Sequence, residues 1–323
     1  MSTSQYLRKI RLTIGDDAEA LDLSELRIRF AVRRGDFSTP NSADIRVYNV
    51  SDKTASKAQR EFTRVRLEAG YEGNYGIIFD GTIIQVRRGR ESQTDTYLDI
   101  TAADGDSAYN FSVVNCALAA GATLDDQLNV CLQAMAPHGV TLGYKPELSL
   151  QKLPRGKVMS GMVRDYLDSI TRAAAAKWSI QDGRLYIIPL SNYVQGEALP
   201  INSASGVVGL PEQTQNGISL KMLLNPSVKI GRLIELNNQS IQQYRYSLAL
   251  RAGAENERIA LQNKLNADGL YYVMVANHSG DTRGNDWYTD VICLAVDATV
   301  AQDFLPSSTA ASSNDLKPIK PFG

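Results

Sequence analysis

Residues 271–296 read YYVMVANHSGDTRGNDWYTDVICLAV, and the fold class turns on whether this is a catalytic loop or a pair of strands. Two apolar runs flank a segment dense in Gly, Asp, Asn and Ser, which is the chemistry of a turn. The stretch is therefore expected to be a β-hairpin turning at 279–286. His278, one of only two histidines, stands three residues before Asp281. As a base and its orienter the two would need an activated Ser, Cys or Thr nearby, in a setting such as a GxSxG elbow, and none stands in this stretch. A polar residue at a strand end is expected to be solvated.

The same two-residue period extends through 6–105. RVRLEAGY (64–71), GIIFDGTIIQVRR (76–88) and TYLDITAADG (96–105) alternate apolar and polar residues. Gly70, Gly73, Gly76, Gly81 and Gly89 are expected to mark hairpin turns among them. LSELRIRFAVRR (23–34) and NSADIRVYNV (41–50) add two strands. Five or six antiparallel strands in this length suggest a small barrel or sandwich.

The period changes to 3.6 in 106–200. Thr123 precedes LDDQLNVCLQAMAP, in which Leu124, Leu128, Cys131, Leu132 and Met135 share a face. Asp126 occupies the third helical position, as in a capping box, and Pro137 and Gly139 end the helix. A second helix is expected through VMSGMVRDYLDSITRAAAAKW (158–178), with Met159, Met162, Val163, Tyr166, Leu167, Ile170 and Ala174 as its apolar stripe. In WSIQDGRLYIIP (178–189), Asp182-Gly183 signals a type I′ turn between two strands. From about 201 the strand period returns, in GISLKMLLNPSVKIGRLIELNN (217–238) and in the opening hairpin.

The expected fold is α+β and mainly β. Two similar small β-barrels, 1–105 and 201–300, flank an α+β domain at 106–200. A partly helical insertion is expected near 237–268, and 301–323 is a Pro- and Ser-rich tail unable to bury a core alone.

A chain of 323 residues suits two or three domains. Its 34 basic and 35 acidic side chains leave a net charge of -1, which gives no global attraction to nucleic acid or anionic membrane. Cys116, Cys131 and Cys293 are odd in number and lack CxxC spacing, so neither a disulfide framework nor a zinc site is indicated. MSTSQYLRKIRLTI mixes charge with alternation and reads as neither an export signal nor a membrane anchor. No apolar run reaches the roughly 18 residues of a spanning helix.

The remaining candidates have plainer explanations. His138 and His278 are 140 positions apart, too few histidines for a His-rich metal site. Asp125 and Asp126 suit the positive end of a helix dipole. GYEGNYG (70–76) lacks the Lys-Ser/Thr of a phosphate loop and does not open a helix. Arg87, Arg88 and Arg90 have no aromatic ladder beside them, so a solvated strand end or subunit contact is favoured over nucleic acid. No catalytic, cofactor-binding or metal-binding residue is assigned, and no cofactor is expected. This chemistry favours an assembly protein over an enzyme.

The order of ADIRVYNVS, VRLEAGYEGNYGIIFDGTI, LDITAADGD, WSIQDGRLYIIP, LLNPSVKIGRLIEL and YYVMVANHSGDTRGNDWYTDV resembles the tail hub proteins of tailed bacteriophages. It is similar also to the N-terminal hub part of type VI secretion spike proteins. The resemblance runs from about residue 6 to 298, with Ile230 where the family commonly has proline. It implies a structural virion protein, a baseplate hub assembled in the host cytoplasm. A homotrimer carrying six look-alike barrels would match a sixfold tail tube to a threefold central spike, with a channel for DNA. Implied partners are a tube or tube-initiator protein, the spike, and wedge or sheath-side proteins, the last facing the α+β domain. The tail would clasp a neighbour. Competing readings are a distal-tail or tube-initiator ring, and a virion glycan hydrolase with paired carboxylates.

Overall fold

The structure is a computed structural model that describes residues 6–16, 19–148, 151–202, 205–214, 217–236 and 269–296. The insertion expected near 237–268 and the tail at 301–323 lie outside the described residues.

The first β region contains β1 (Tyr6–Gly15), β2 (Ala20–Asp22), β3 (Ile28–Gly35), β4 (Ser42–Tyr48), helix α1 (Asp52–Arg60), β5 (Arg64–Glu72), β6 (Asn74–Arg90) and β7 (Thr96–Ala103). Period-two alternation decides which side chains go inward. Phe30 and Val32, Ile45 and Val47, Val65 and Leu67, and Leu98 and Ile100 meet in one core with Leu12 and Ile14. Ser51 caps α1 by accepting from the Thr54 N–H, and Ala55 and Ala58 turn into the same core.

Only one of the five glycines expected at turns is in one. Gly73 joins β5 to β6, whereas Gly76, Gly81 and Gly89 lie inside β6 and Gly70 inside β5. Close approach explains Gly81: a Cβ there would stand 2.7 Å from the Ala103 carbonyl oxygen and 2.8 Å from the Phe79 ring. Tyr97 covers Gly89 in the same way.

The α+β unit contains α2 (Asp106–Phe111), β8 (Val113–Leu118), α3 (Leu124–Met135), β9 (Thr141–Tyr144), β10 (Lys157–Met162), α4 (Val163–Ala173), β11 (Ala176–Gln181) and β12 (Arg184–Pro189). Its separate core includes Leu128, Cys131, Met135, Leu167, Ile170 and Trp178. The capping box at Thr123 and Asp126 forms as expected. Asp182 (φ 53°) and Gly183 (φ 72°) both take the left-handed conformation of a type I′ turn between β11 and β12. The second helix starts later than its apolar stripe suggested. Residues 157–162 instead pair with β8, and Met159 is buried as a strand residue. Gly161, at φ 142°, is one reason a helix cannot extend back through this segment.

The second β region contains β13 (Leu199–Ile201), β14 (Val207–Thr214), β15 (Gly217–Leu223), β16 (Leu233–Leu236), β17 (Leu270–Asp281) and β18 (Trp287–Ala295). Its neighbour order is β14-β15-β18-β17-β16-β13. That of the first is β3-β4-β7-β6-β5-β1, so six strands recur in the same chain order and the same spatial order. The repeat reaches individual residues. Each long strand carries a bulge against its hairpin partner, between Ile83 and Gln85 in β6 and between Val273 and Val275 in β17. The Ile83 N–H donates to Thr63 O at 2.7 Å, and the Val273 N–H donates to Arg232 O at 2.9 Å. Arg46, opposite Asp99, lies over Tyr97; Lys221, opposite Asp290, lies over Tyr288. One difference is direction: β1 runs antiparallel to β5, while β13 runs parallel to β16.

The α+β, mainly β class is as expected, while the two flanking barrels are not confirmed. Among the described residues neither β region closes on itself by hydrogen bonds, and both belong to one thirteen-stranded sheet. The cause is the length of β17. Its first turn-distal residues pair with β16, and Val275–Asp281 pair with Gly35–Arg29 of β3. The tip of the β17–β18 hairpin then packs on the first β region. Thr282 N–H donates to Ile28 O, and Ile28 N–H donates to Thr282 Oγ1, each at 3.0 Å. Trp287 belongs to the first core despite its place in β18. Its Nε1–H donates to Gly70 O of β5 at 3.3 Å, and it meets Phe30 of β3 edge to face. An indole side chain thus spans the gap between the curled sheet's two sides.

Candidate functional site at the junction of the three regions

The two β regions and the α+β unit meet at the end of β3. Inward alternation through Phe30 and Val32 continues to Arg34, so a guanidinium is placed on an apolar face with 4% of its side chain exposed. A buried arginine must satisfy its fork of donors. Nη1 donates to Ile78 O at 3.0 Å, and Nη2 donates to Gln181 Oε1 at 3.2 Å and Asp182 Oδ2 at 2.9 Å. The β11–β12 turn is thereby held against β3 and β6.

Asn41 and Gln181 complete the attachment. Asn41 accepts from Gly35 N–H and donates to Ile180 O and Gln181 Oε1, while Gln181 Nε2 donates to Gly35 O. Asp104, at the exit from β7, accepts from the backbone N–H groups of Asp182 and Gly183. Burial and then the charge of Asp182 push its carboxyl up to about 6. Lys229 of the second β region donates to Ile77 O at 3.0 Å and lies 3.7 Å from Asp182. Burial, with the Arg34 charge adding, holds its ammonium below the usual lysine range. Asp36 receives Lys177 of the α+β unit and the Tyr272 hydroxyl of β17, the latter at 2.7 Å.

His278 is not at a solvated strand end. It is buried inside β17, 1% exposed, with Nδ1 2.9 Å from Thr289 Oγ1. Burial first, then the charges of Arg34 and Lys229, push its imidazole down to about 3. Asp281 has other partners: Arg27 donates to both its carboxylate oxygens, and the Arg283 N–H donates to one. The two residues are a core histidine and a turn anchor, not a base and its orienter.

Opposite pH dependences follow from the two shifts. Between about pH 6.5 and 3 the unfolded chain protonates His278 and the folded chain does not, so stability falls as pH falls. For Asp104 the folded chain holds the extra proton between about pH 4 and 6, so its contribution falls as pH rises. The two slopes oppose each other in that window. Replacing His278 with glutamine is expected to remove up to about 1.4 kcal/mol of acid sensitivity per pH unit relative to the unaltered protein. Denaturant unfolding of both proteins at pH 4.5, 5.5 and 7 measures it; parallel pH profiles would refute the assignment.

The other candidates are dispersed. His138 is half-buried, with Nδ1 2.7 Å from Ser107 Oγ. Asp125 pairs with Lys145, and Asp126 serves the α3 cap. Arg87, Arg88 and Arg90 lie on the exposed end of β6, Arg88 reaching Asp52. The cysteines are free, and burial raises the Cys131 thiol to about 12. Among the described residues no group of three His, Cys, Asp or Glu could hold a metal, and no helix is long and apolar enough to cross a membrane. Every carboxylate at the junction is held by a cation or by backbone N–H groups. The arrangement clamps three regions together.

Sequence reasoning missed Arg34, Asn41, Asp104, Gln181, Asp182 and Lys229 as a group. One signal was available: in FAVRR, the period that buries Phe30 and Val32 also buries Arg34.

Solved structures share the fold. The prophage MuSo2 43 kDa tail protein from Shewanella oneidensis aligns with a TM-score of 0.55 and 8% identity, covering 90% of this chain and 98% of its own. The tail protein from Neisseria meningitidis MC58 gives 0.53 and 11%, covering 88% and 96%. A chain of the half-lidded Francisella PdpA-VgrG complex gives 0.52 and 8%, covering 90% of this chain and 58% of that one. A sequence search of curated proteins found no match. The sequence profile of the Baseplate hub gp41 family matches residues 7–241, more than half of the chain. On that match, the chain belongs to the Baseplate hub gp41 family, a component of the phage tail.

Proposed function

We propose that three copies form a ring that adapts a sixfold tail tube to a threefold central spike and leaves a channel for DNA. The observation that carries this reading is the repeat: six strands in one order, twice, joined edge to edge through β3 and β17. Three chains would supply six such units, which is how a threefold assembly can imitate sixfold symmetry. The role is structural and needs no enzymatic step.

The outward face of the sheet suits a channel wall. Opposite the core, Arg33 pairs with Asp44, Arg46 with Asp99 and Arg64 with Asp80. Unpaired arginines would retain a polyanion by counterion release; carboxylate-bound ones have less charge to offer it. DNA could then move past this face. The buried clamp at Arg34 fastens the α+β unit to the sheet, and in this reading that unit faces the wedge or sheath-side proteins. The tube or tube-initiator protein and the spike would take the two rims.

A tube-initiator or distal-tail ring would use the same sheet in six copies. Native mass spectrometry of the purified protein is expected to give a homotrimer, and the density in an imaged tail tip is expected to show three copies. A hexamer in either measurement would refute the hub reading and favour the ring.

A further inference from the structure

The repeat makes the junction inside the chain a template for a contact between chains. Within the chain, the second unit reaches the first through the later half of β17: Val275–Asp281 pair with Gly35–Arg29 of β3. The counterpart of β17 is β6. Aligned on their bulges, Gln85–Glu91 correspond to Val275–Asp281. β5 pairs with β6 only as far as Thr82, so the β5-side edge of residues 83–90 meets no strand among the described residues. The counterpart of β3 is β14, whose outer edge likewise meets no strand among the described residues. Among the described residues, one sheet therefore has two open edges of the two kinds that already pair once in its interior.

We propose that β6 of one chain pairs antiparallel with β14 of a second copy, repeating the β17–β3 junction. The register follows from the template. Asn277↔Arg33 becomes Arg87↔Thr214, and Ser279↔Ala31 becomes Gly89↔Glu212. The bulge in β14 between Val208 and Glu212, where β3 has a single residue, confines the continuous ladder to Glu212–Thr214.

Two further observations favour this edge. Ile84 is 55% exposed, whereas its counterpart Met274 is 5% exposed, packed with Ile188, Val194 and Leu233 as well as with Phe37 just beyond β3, and gives its carbonyl to the Asp36 N–H at the β3 junction. An apolar residue is exposed where the template buries one. Exposed Glu212 would also face the stretch holding Arg87, Arg88 and Arg90, an opposite charge across the strands. Helix α1 does not compete for this role: it packs on the inner face, where Ala55 and Ala58 share a core with Val86. Alternating the internal junction with this one yields a closed ring of six units from three chains, so the inference rests on the trimeric reading.

The test is a cross-link between copies. In a Cys116→Ser background, the Arg87→Cys/Thr214→Cys protein is expected to give covalent trimers on a denaturing gel after mild oxidation. Arg88→Cys/Thr214→Cys, which moves the first thiol to the other face of β6, is expected to give none. Ile84→Asp is expected to raise the concentration at which trimers dissociate at least tenfold while leaving the melting temperature of the monomer unchanged. Native trimers that neither cross-link through the first pair nor weaken with Ile84→Asp would overturn this interface and leave the trimeric reading intact. A parent protein that is not trimeric by native mass would overturn both.

Discussion

Trp287→Ala is expected to lower the unfolding free energy by about 3–5 kcal/mol, the range for truncating a large buried aromatic. The ring is 1% exposed and sits at the start of β18, yet its neighbours belong to the first β region. Phe30 meets it edge to face with centroids 5.4 Å apart, and the Arg8 guanidinium lies over it at 5.4 Å. Its N–H donates to Gly70 O of β5. Truncation therefore opens a cavity and removes a hydrogen bond between the hairpin tip and β5 in the same place. Trp287→Phe keeps most of the packing and removes only the donor, so its cost should be a minority of the alanine effect. Denaturant melts of the three proteins would measure this. An alanine cost under about 1 kcal/mol would show that the hairpin tip does not hold the sheet's two sides together.

Arg34→Met is expected to cost about 3–5 kcal/mol, as for a buried ion pair deprived of one partner. Methionine fills part of the volume but donates nothing. Ile78 O and Gln181 Oε1 lose a donor, and Asp182 keeps only Lys229 at 3.7 Å. Arg34→Lys retains the charge without the planar fork and should recover less than half of the loss. Where the damage falls is as informative as its size. The clamp fastens the β11–β12 turn to β3, so hydrogen exchange should rise first in Ser179–Leu185. Uniform loosening of the whole chain would contradict a local attachment.

Local chemistry made much of this fold readable. Alternation placed β3, β4, β5 and β7, positive-φ chemistry placed the Asp182-Gly183 turn, and Thr123 with Asp126 announced α3. Each rests on neighbours a few residues apart. The β3–β17 pairing joins Arg29 to Asp281, and no local period encodes a partner that distant. β10 was obscured because Met159 and Met162 extend the helical stripe that begins properly at Val163, while strand pairing with β8 decides the conformation of the two methionines. Helix α1, after the capping residue Ser51, has an apolar stripe made only of Ala55 and Ala58, too weak to register beside the strands. The junction was the least legible part. It gathers residues from three regions, and only Arg34 carried a mark of its burial in its own neighbourhood. His278 was misplaced for a related reason: a histidine beside a turn sequence can belong to the strand, and its hydrogen bond to Thr289 comes from the opposite strand.

The indole bridge also fixes the order in which this polypeptide can mature on the ribosome. Residues 28–35 are made early, but the segment that covers their free side and fills the adjacent gap is made near residue 287. Until some 250 further residues have been translated, the first β region carries an unsatisfied strand rim and an indole-sized hole, the kind of surface that recruits chaperones or invites aggregation. Completion is therefore a late, long-range event, and nascent chains halted before Trp287 will be the aggregation-prone species.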